Sequence, residues 1–144
     1  MSPEENKALY RRFITEVANR GNMTAADEIL APNITEHEKL PPGVPANRDG
    51  IKQLFAMIRK AFPDLCITIE DQIAEADKVV ARVTLRGTHQ GEFFGISPTG
   101  RRVAYGAIDI SRMAGGQLVE HWGIPDYLSL LQQLGAVPAP GQDR

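Results

Sequence analysis

The chain has three histidines among its 144 residues, and each stands where an imidazole could meet other reactive groups. His121 lies in Gln117 to Ile124, which reads as a strand. Side chains alternate along a strand, so His121 shares a face with Val119 and Gly123, while Glu120 and Trp122 lie opposite. Asp109 lies in a second run, Arg101 to Met113, on the face of Tyr105 and Ala107, with Ile108 and Ile110 opposite. If the two strands are neighbours and both residues face a concave interior, a carboxylate and an imidazole meet inside an apolar cavity. Such a pair can do acid/base chemistry, because imidazole titrates near neutrality and burial raises a carboxylate's pKa. The same spacing also fits an Asp109 that only satisfies and orients a structural His121, and strand parity can slip at a bulge.

His37, with Thr35 and Lys39 on its parity, precedes a proline-rich loop and reads either as a surface histidine or as a group that holds substrate. His89 ends another strand-like run beside Gly91-Glu92-Phe93-Phe94-Gly95, where it either ties down that loop or reaches bound substrate. Tyr105 donates a hydrogen bond into the cavity or simply fills its wall. Phe55, Val83, Leu85 and Phe93 are the expected walls, and Val119 and Gly123 complete the face that carries His121. Two histidines and an aspartate can form an iron-binding facial triad. No HxD or HExxH motif places such ligands together here, so no metal site is expected. Glycine loops with nucleotide spacing and a serine-nucleophile elbow are absent too.

The elements that must position these groups follow from periodicity. Ser2-Pro3-Glu4-Glu5 reads as a capping box, and Leu9, Phe13, Ile14 and Val17 recur at helical spacing until Gly21-Asn22. Thr24 repeats the capping pattern and opens a short helix to about Leu30, broken by Pro32, with a strand from Ile34 to Lys39 after it. Leu40 to Asn47 is a loop, and Ile51, Leu54, Phe55, Ile58 and Phe62 mark a third helix that stops at Pro63-Asp64. Strands are then expected over Leu65 to Glu75, Lys78 to His89, Arg101 to Met113 and Gln117 to Ile124, with hairpin turns at Ala76-Asp77 and Ala114-Gly115-Gly116. A last helix runs from Asp126 to Leu134. Helices first and an antiparallel meander afterwards define an α+β class, with helices on one face of a curved sheet. One domain over residues 1–136 and a flexible tail over 137–144 are expected.

A formal net charge of −2, with both signs interspersed, offers no basic stripe to a phosphate backbone, so nucleic acid is not an expected partner. Met1 to Arg12 carry charges and no apolar run, so neither a signal peptide nor a membrane anchor is expected. The single Cys66, in Leu65-Cys66-Ile67, reads as a small packed hydrophobe, and the cytoplasm as the address. Ile108, Ile110, Leu118 and Trp122 share the outward parity, which predicts an apolar sheet face covered in a homodimer.

Ala61-Phe62-Pro63-Asp64-Leu65, Ile69-Glu70-Asp71 and Arg86-Gly87-Thr88-His89-Gln90-Gly91-Glu92-Phe93 are similar to blocks of the SnoaL-like polyketide (ester) cyclases. So are Gly95-Ile96-Ser97-Pro98-Thr99-Gly100, Ile108-Asp109-Ile110, Val119-Glu120-His121-Trp122 and Leu130-Leu131-Gln132-Gln133-Leu134-Gly135. The resemblance runs from the first helix to about Gly135. It implies the cone-shaped fold shared with ketosteroid isomerase and nuclear transport factor two, its three N-terminal helices on the concave face of the sheet and a pocket between them. It also implies a cofactor-free intramolecular aldol condensation that closes a ring of a polyketide-like ester. Asp126 matches an aspartate that starts the family's last helix. The chain departs from the pattern in two places: Gly123 stands where the resemblance implies the acid/base aspartate, and Asp109 where it implies a histidine. Epoxide hydrolysis or hydroxylation, and simple binding of an apolar ligand, are the competing expectations.

Overall fold

The computed structural model of the chain describes residues 1–138 and 141. Ser2 Oγ accepts from the Glu5 amide and the Glu5 carboxylate accepts from the Ser2 amide, so the expected capping box starts helix α1, Pro3–Arg12. The helix then widens into a π-helical segment, Phe13–Asn19, whose turns carry Phe13, Ile14, Val17 and Ala18 into the interior. Gly21, at φ 68°, ends it. Asn22 rather than Thr24 caps α2, Met23–Ile29, its side chain accepting from the Ala25 amide at 3.0 Å. It comes directly after the helix-ending glycine in extended backbone, which is what an N-cap needs.

The chain passes from Ile29 straight into strand β1, Leu30–Glu36, earlier than the expected Ile34 to Lys39. Pro32 lies within the strand. Proline cannot donate to a ladder, but β1 is an edge strand in the order β1-β5-β4-β3-β2, and an edge tolerates it. β1 pairs with β5 in parallel, so the sheet is antiparallel except at this edge pair. A parallel pair needs a long crossover, and everything between β1 and β5 supplies one.

Asn47 caps α3, Arg48–Ala61, and β2 (Cys66–Glu75), β3 (Lys78–Thr88), β4 (Arg102–Ala114) and β5 (Gln117–Pro125) follow as an antiparallel meander. The predicted hairpin turns are present, with Ala76, Gly115 and Gly116 at positive φ. Asp126 caps the closing helix α4, Tyr127–Gln133, by accepting from the Ser129 amide. Cys66 is exposed, contrary to expectation, because Ile67 takes the inward parity of β2. Residues 139, 140 and 142–144 of the expected tail lie outside the described residues.

Helices α1, α2 and α3 close over one face of the curved sheet, and one apolar cluster joins them to it through Tyr10, Val17, Ile29, Phe62, Val79 and Leu118. Each such side chain contributes roughly 1.5–3 kcal/mol on burial. One irregularity matters for the site. Arg112 pairs with Glu120 but Met113 pairs with Leu118, so Val119 is an extra residue bulged out of the β5 ladder. The bulge reverses parity, and Leu118 is buried in the interior at 1% exposure instead of lying on the outer face with Ile108.

Candidate active site

The cone encloses a narrow cavity in which the centre of a water molecule could move through ≈ 70 Å³. Phe13, Ile14, Leu54, Phe55, Val83 and Leu85 form apolar wall, while Glu36, Glu38, Asp109 and His121 bring charge to one end. Each charged group has a reason to be there. Ile34 is buried, so Glu36, two residues on, follows it inward. The register sets Glu36 beside His121 across the parallel pair, and Asp109 opposite Gly123 across the antiparallel one.

His121 is clamped from both sides. Its Nδ1 donates to Glu36, at 2.7 Å from Oε1 and 2.9 Å from Oε2. Its Nε2 stands 3.2 Å from Asp109 Oδ1. Burial by itself pushes the imidazole pKa down, but the hydrogen bonds and charges of Asp109 and Glu36 outweigh it and raise the value to about 10. His121 is therefore an imidazolium at neutral pH, donating through both nitrogens. Charge-assisted bonds of this type usually measure about 2.7–2.9 Å. The Asp109 bond is thus the looser one, and Nε2–H is the proton that a substrate oxygen could share or take.

Asp109 is held in turn by Tyr10, whose hydroxyl donates to Oδ2 at 2.6 Å. Burial and then the Asp109 charge raise the Tyr10 pKa well above its ordinary value, so that proton stays on the phenol. Glu36 accepts from the Glu38 amide as well as from His121. Tyr105 is 4% exposed and lines the cavity, and its buried hydroxyl has no protein partner among the described residues.

Of the residues expected at the site, Asp109, His121, Tyr105, Phe55, Val83 and Leu85 line one cavity. Among the other expected contacts, His37, His89, Phe93 and Val119 lie outside the cavity lining, and Gly123 stands against the Glu38, Asp109 and His121 side chains. His37 points outward, where it stacks on Trp122 with ring centroids 4.8 Å apart and meets Glu120 Oε2 at 2.7 Å. His89 is fully buried behind the wall, its Nδ1 bonded to Thr99 and its ring against Phe62, so it anchors the β3–β4 loop. Phe93 packs edge-on against Phe62 in the same loop. Val119 is the bulged residue, and Gly123 contributes backbone beneath Glu38. Tyr10, Glu36 and Glu38 were missed. The alternation of Ile34, Glu36 and Glu38 was the available signal, because a buried Ile34 forces both glutamates inward and His37 outward.

The two-histidine metal set weighed from sequence does not converge, since His37 and His89 are both remote from the cavity. A different donor set does exist: Glu38, Asp109 and His121 offer ligand atoms within 4.8 Å of one another. Those three residues could hold a divalent ion once His121 had given up its Nε2 proton.

A cone of helices over a curved sheet, enclosing an apolar cavity charged at one end, is the nuclear-transport-factor-two-like fold. Structural comparison agrees: TsrD from Streptomyces laurentii superposes with a TM-score of 0.85 at 31% identity, over 95% of this chain and 99% of that one. Within that fold the chain belongs to the SnoaL-like polyketide cyclase family, which matches residues 8–134. Aklanonic acid methyl ester cyclase DauD from Streptomyces sp. (strain C5) is 30% identical over 142 residues, covering 94% of this chain and 83% of DauD. Aklanonic acid methyl ester cyclase AcmA from Streptomyces galilaeus is 37% identical over 88 residues, covering 58% of this chain and 61% of AcmA, a little under two thirds of that relative.

Proposed function

We propose that this protein closes a ring of a polyketide-like carbonyl ester by cofactor-free intramolecular aldol condensation, with His121 and Asp109 as its acid/base centre. The observation that carries this reading is the His121–Asp109 contact of 3.2 Å at the charged end of an apolar cavity. A carbon between two carbonyls is acidic enough for a side-chain base, and a cation beside the forming oxyanion lowers the barrier further. The raised pKa of His121 supports the acid's role for it, and Asp109 is the carboxylate that orients it and returns its proton. Tyr105 donates to a substrate oxygen, and Phe55, Val83 and Leu85 select shape.

Aklanonic acid methyl ester, the compound in the relatives' names, is the first substrate to try, in oxygen-18 water. The expected product has one new ring and no label in its new hydroxyl, since the aldol oxygen comes from the substrate's ketone. Label in that hydroxyl, as epoxide hydrolysis would leave, or no ring closure at all, overturns the reading.

The same chain is proposed to act as one domain over residues 1–136 and as a homodimer in the cytoplasm. Ile108 and Ile124 are 51% and 80% exposed and sit opposite each other on the outer sheet face, an apolar patch that water disfavours. Sedimentation equilibrium is expected to give twice the monomer mass, and Ile108→Lys to halve it. A monomeric wild type overturns the dimer. No helix among the described residues is long and apolar enough to cross a membrane.

A further inference from the structure

Three carboxylates surround one imidazolium, and two of them are fully engaged. Asp109 accepts from Tyr10 on one oxygen and from His121 on the other. Glu36 accepts from His121 and from the Glu38 amide. The Glu38 carboxylate accepts no hydrogen bond among the described residues, although its own backbone is pinned by Glu36. It faces the cavity beside Asp109 and His121.

Its seat depends on a missing side chain. A Cβ built at Gly123 would collide with the Glu38 carboxylate and lie 2.7 Å from Asp109 Oδ1 and 2.9 Å from His121 Cε1. Glycine at 123 thus leaves open the space that Glu38, arriving from the end of β1, fills. Tyr105 lines the same cavity, and its buried hydroxyl has no hydrogen-bond partner among the described residues. An acceptor with free lone pairs and a donor with a free proton are what a carbon acid and its carbonyl would each need.

Resting on the ring-closing reading above, we infer that Glu38 is the base that removes the carbon-bound proton, its carboxylate seated in the space vacated at Gly123. The substrate C–H bond breaks, the proton passes to Glu38, and the electron pair remains as an enolate. The enolate carbon bonds to the ketone carbon, and the ketone's π pair moves to oxygen, which takes the Nε2 proton of His121. The proton on Glu38 returns to His121 by way of Asp109, which restores the starting charges with no other reactant.

The groups facing Glu38 set its working pH. Burial raises its pKa, His121 lowers it, and Asp109 and Glu36 raise it again, to about 7. Tyr10, Tyr105 and Tyr127 stay protonated, their pKa values being raised by burial first and by the Glu38 charge last. The rate is expected to climb with pH to a plateau above about 7, because a base acts when unprotonated.

Proton removal can be read without ring closure, from deuterium uptake at the central carbon of ethyl benzoylacetate in deuterated buffer, followed by NMR. Wild type is expected to exceed buffer, and Glu38→Gln to lose about 10² or more of that excess together with the limb near pH 7. Glu38→Ala with Gly123→Asp, which puts a carboxylate back from the other strand, is expected to regain at least about tenfold over Glu38→Ala, the two positions being coupled through one space. Folding of each variant is checked by its melting curve. Glu38→Gln within threefold of wild type overturns the role of Glu38 and leaves the ring-closing reading standing. A folded double variant no faster than Glu38→Ala overturns the shared seat. Wild type no faster than buffer overturns the ring-closing reading and takes Glu38 with it.

Discussion

His121→Ala is expected to lower ring-closing turnover by about 10² or more, and Asp109→Asn by a comparable factor. The first removes the cation beside the developing oxyanion and leaves Glu36, Glu38 and Asp109 facing one another with nothing between them. The second keeps the shape but removes one of the two charges that hold the imidazolium, whose pKa then falls from about 10 toward its ordinary value. Turnover close to wild type in both folded variants would remove the pair from the reaction. Stability separates chemistry from structure. A histidine whose folded pKa is raised contributes stability that is full below its unfolded value of about 6.5 and is lost as pH rises through about 10. His121→Ala should therefore lower the melting temperature most at pH 6 and least above pH 10. A deficit independent of pH would show that the imidazolium clamp contributes nothing to folding.

Glu38→Gln is expected to do the opposite to the fold: it should raise Tm at pH 8. The Glu38 pKa goes from the usual 4.5 to about 7, burial being the largest cause. Its folded form binds a proton more tightly than the unfolded chain does, so its contribution is fully present below about pH 4.5 and is lost as pH rises through about 7. At pH 8 the wild type holds an ionised carboxylate where the cavity disfavours it, at a cost of up to about 3 kcal/mol. Glutamine has the same shape and no charge. For a chain of this size each kcal/mol moves Tm by about 2–4 °C, so a rise of roughly 5–10 °C is expected at pH 8, shrinking toward zero at pH 4. A variant that melts at or below the wild-type temperature at pH 8 would mean that Glu38 carries no burial cost. A residue whose removal stabilises the fold is one that function retains.

Much of this architecture was legible in residue order. Period-2 alternation located the four long strands, and the capping pattern at Ser2 and the helical spacing after Asp49 located α1 and α3. Parity alone brought Asp109 and His121 to one cavity, because both lie on strands that pair regularly from Ile108 to Arg112. What failed was non-local. Nothing near Pro32 announces that β1 is an edge strand, and only that position allows the proline, so periodicity alone starts the strand at Ile34 and leaves the inward parity of Glu36 and Glu38 unseen. Glu36 and Glu38 look like solvated surface glutamates until β1 is laid beside β5. The resemblance that made Gly123 look like a lost carboxylate compared positions along the chain, whereas the cavity compares positions in space.

Val119 has a wider effect than its own side chain. Were β5 an unbroken ladder, alternation would send either Leu118 or His121 to the interior but not both, since their positions differ in parity: His121 would come with Val119 and Gly123, Leu118 with Glu120 and Trp122. The extra residue advances the alternation by one step between them, so a single strand lays apolar lining up to Leu118 and then delivers the cation. The boundary between the part of the cavity that selects a ligand by shape and the part that transforms it is therefore drawn by one bulged valine, and sliding that bulge along β5 would move the boundary without altering any reactive residue.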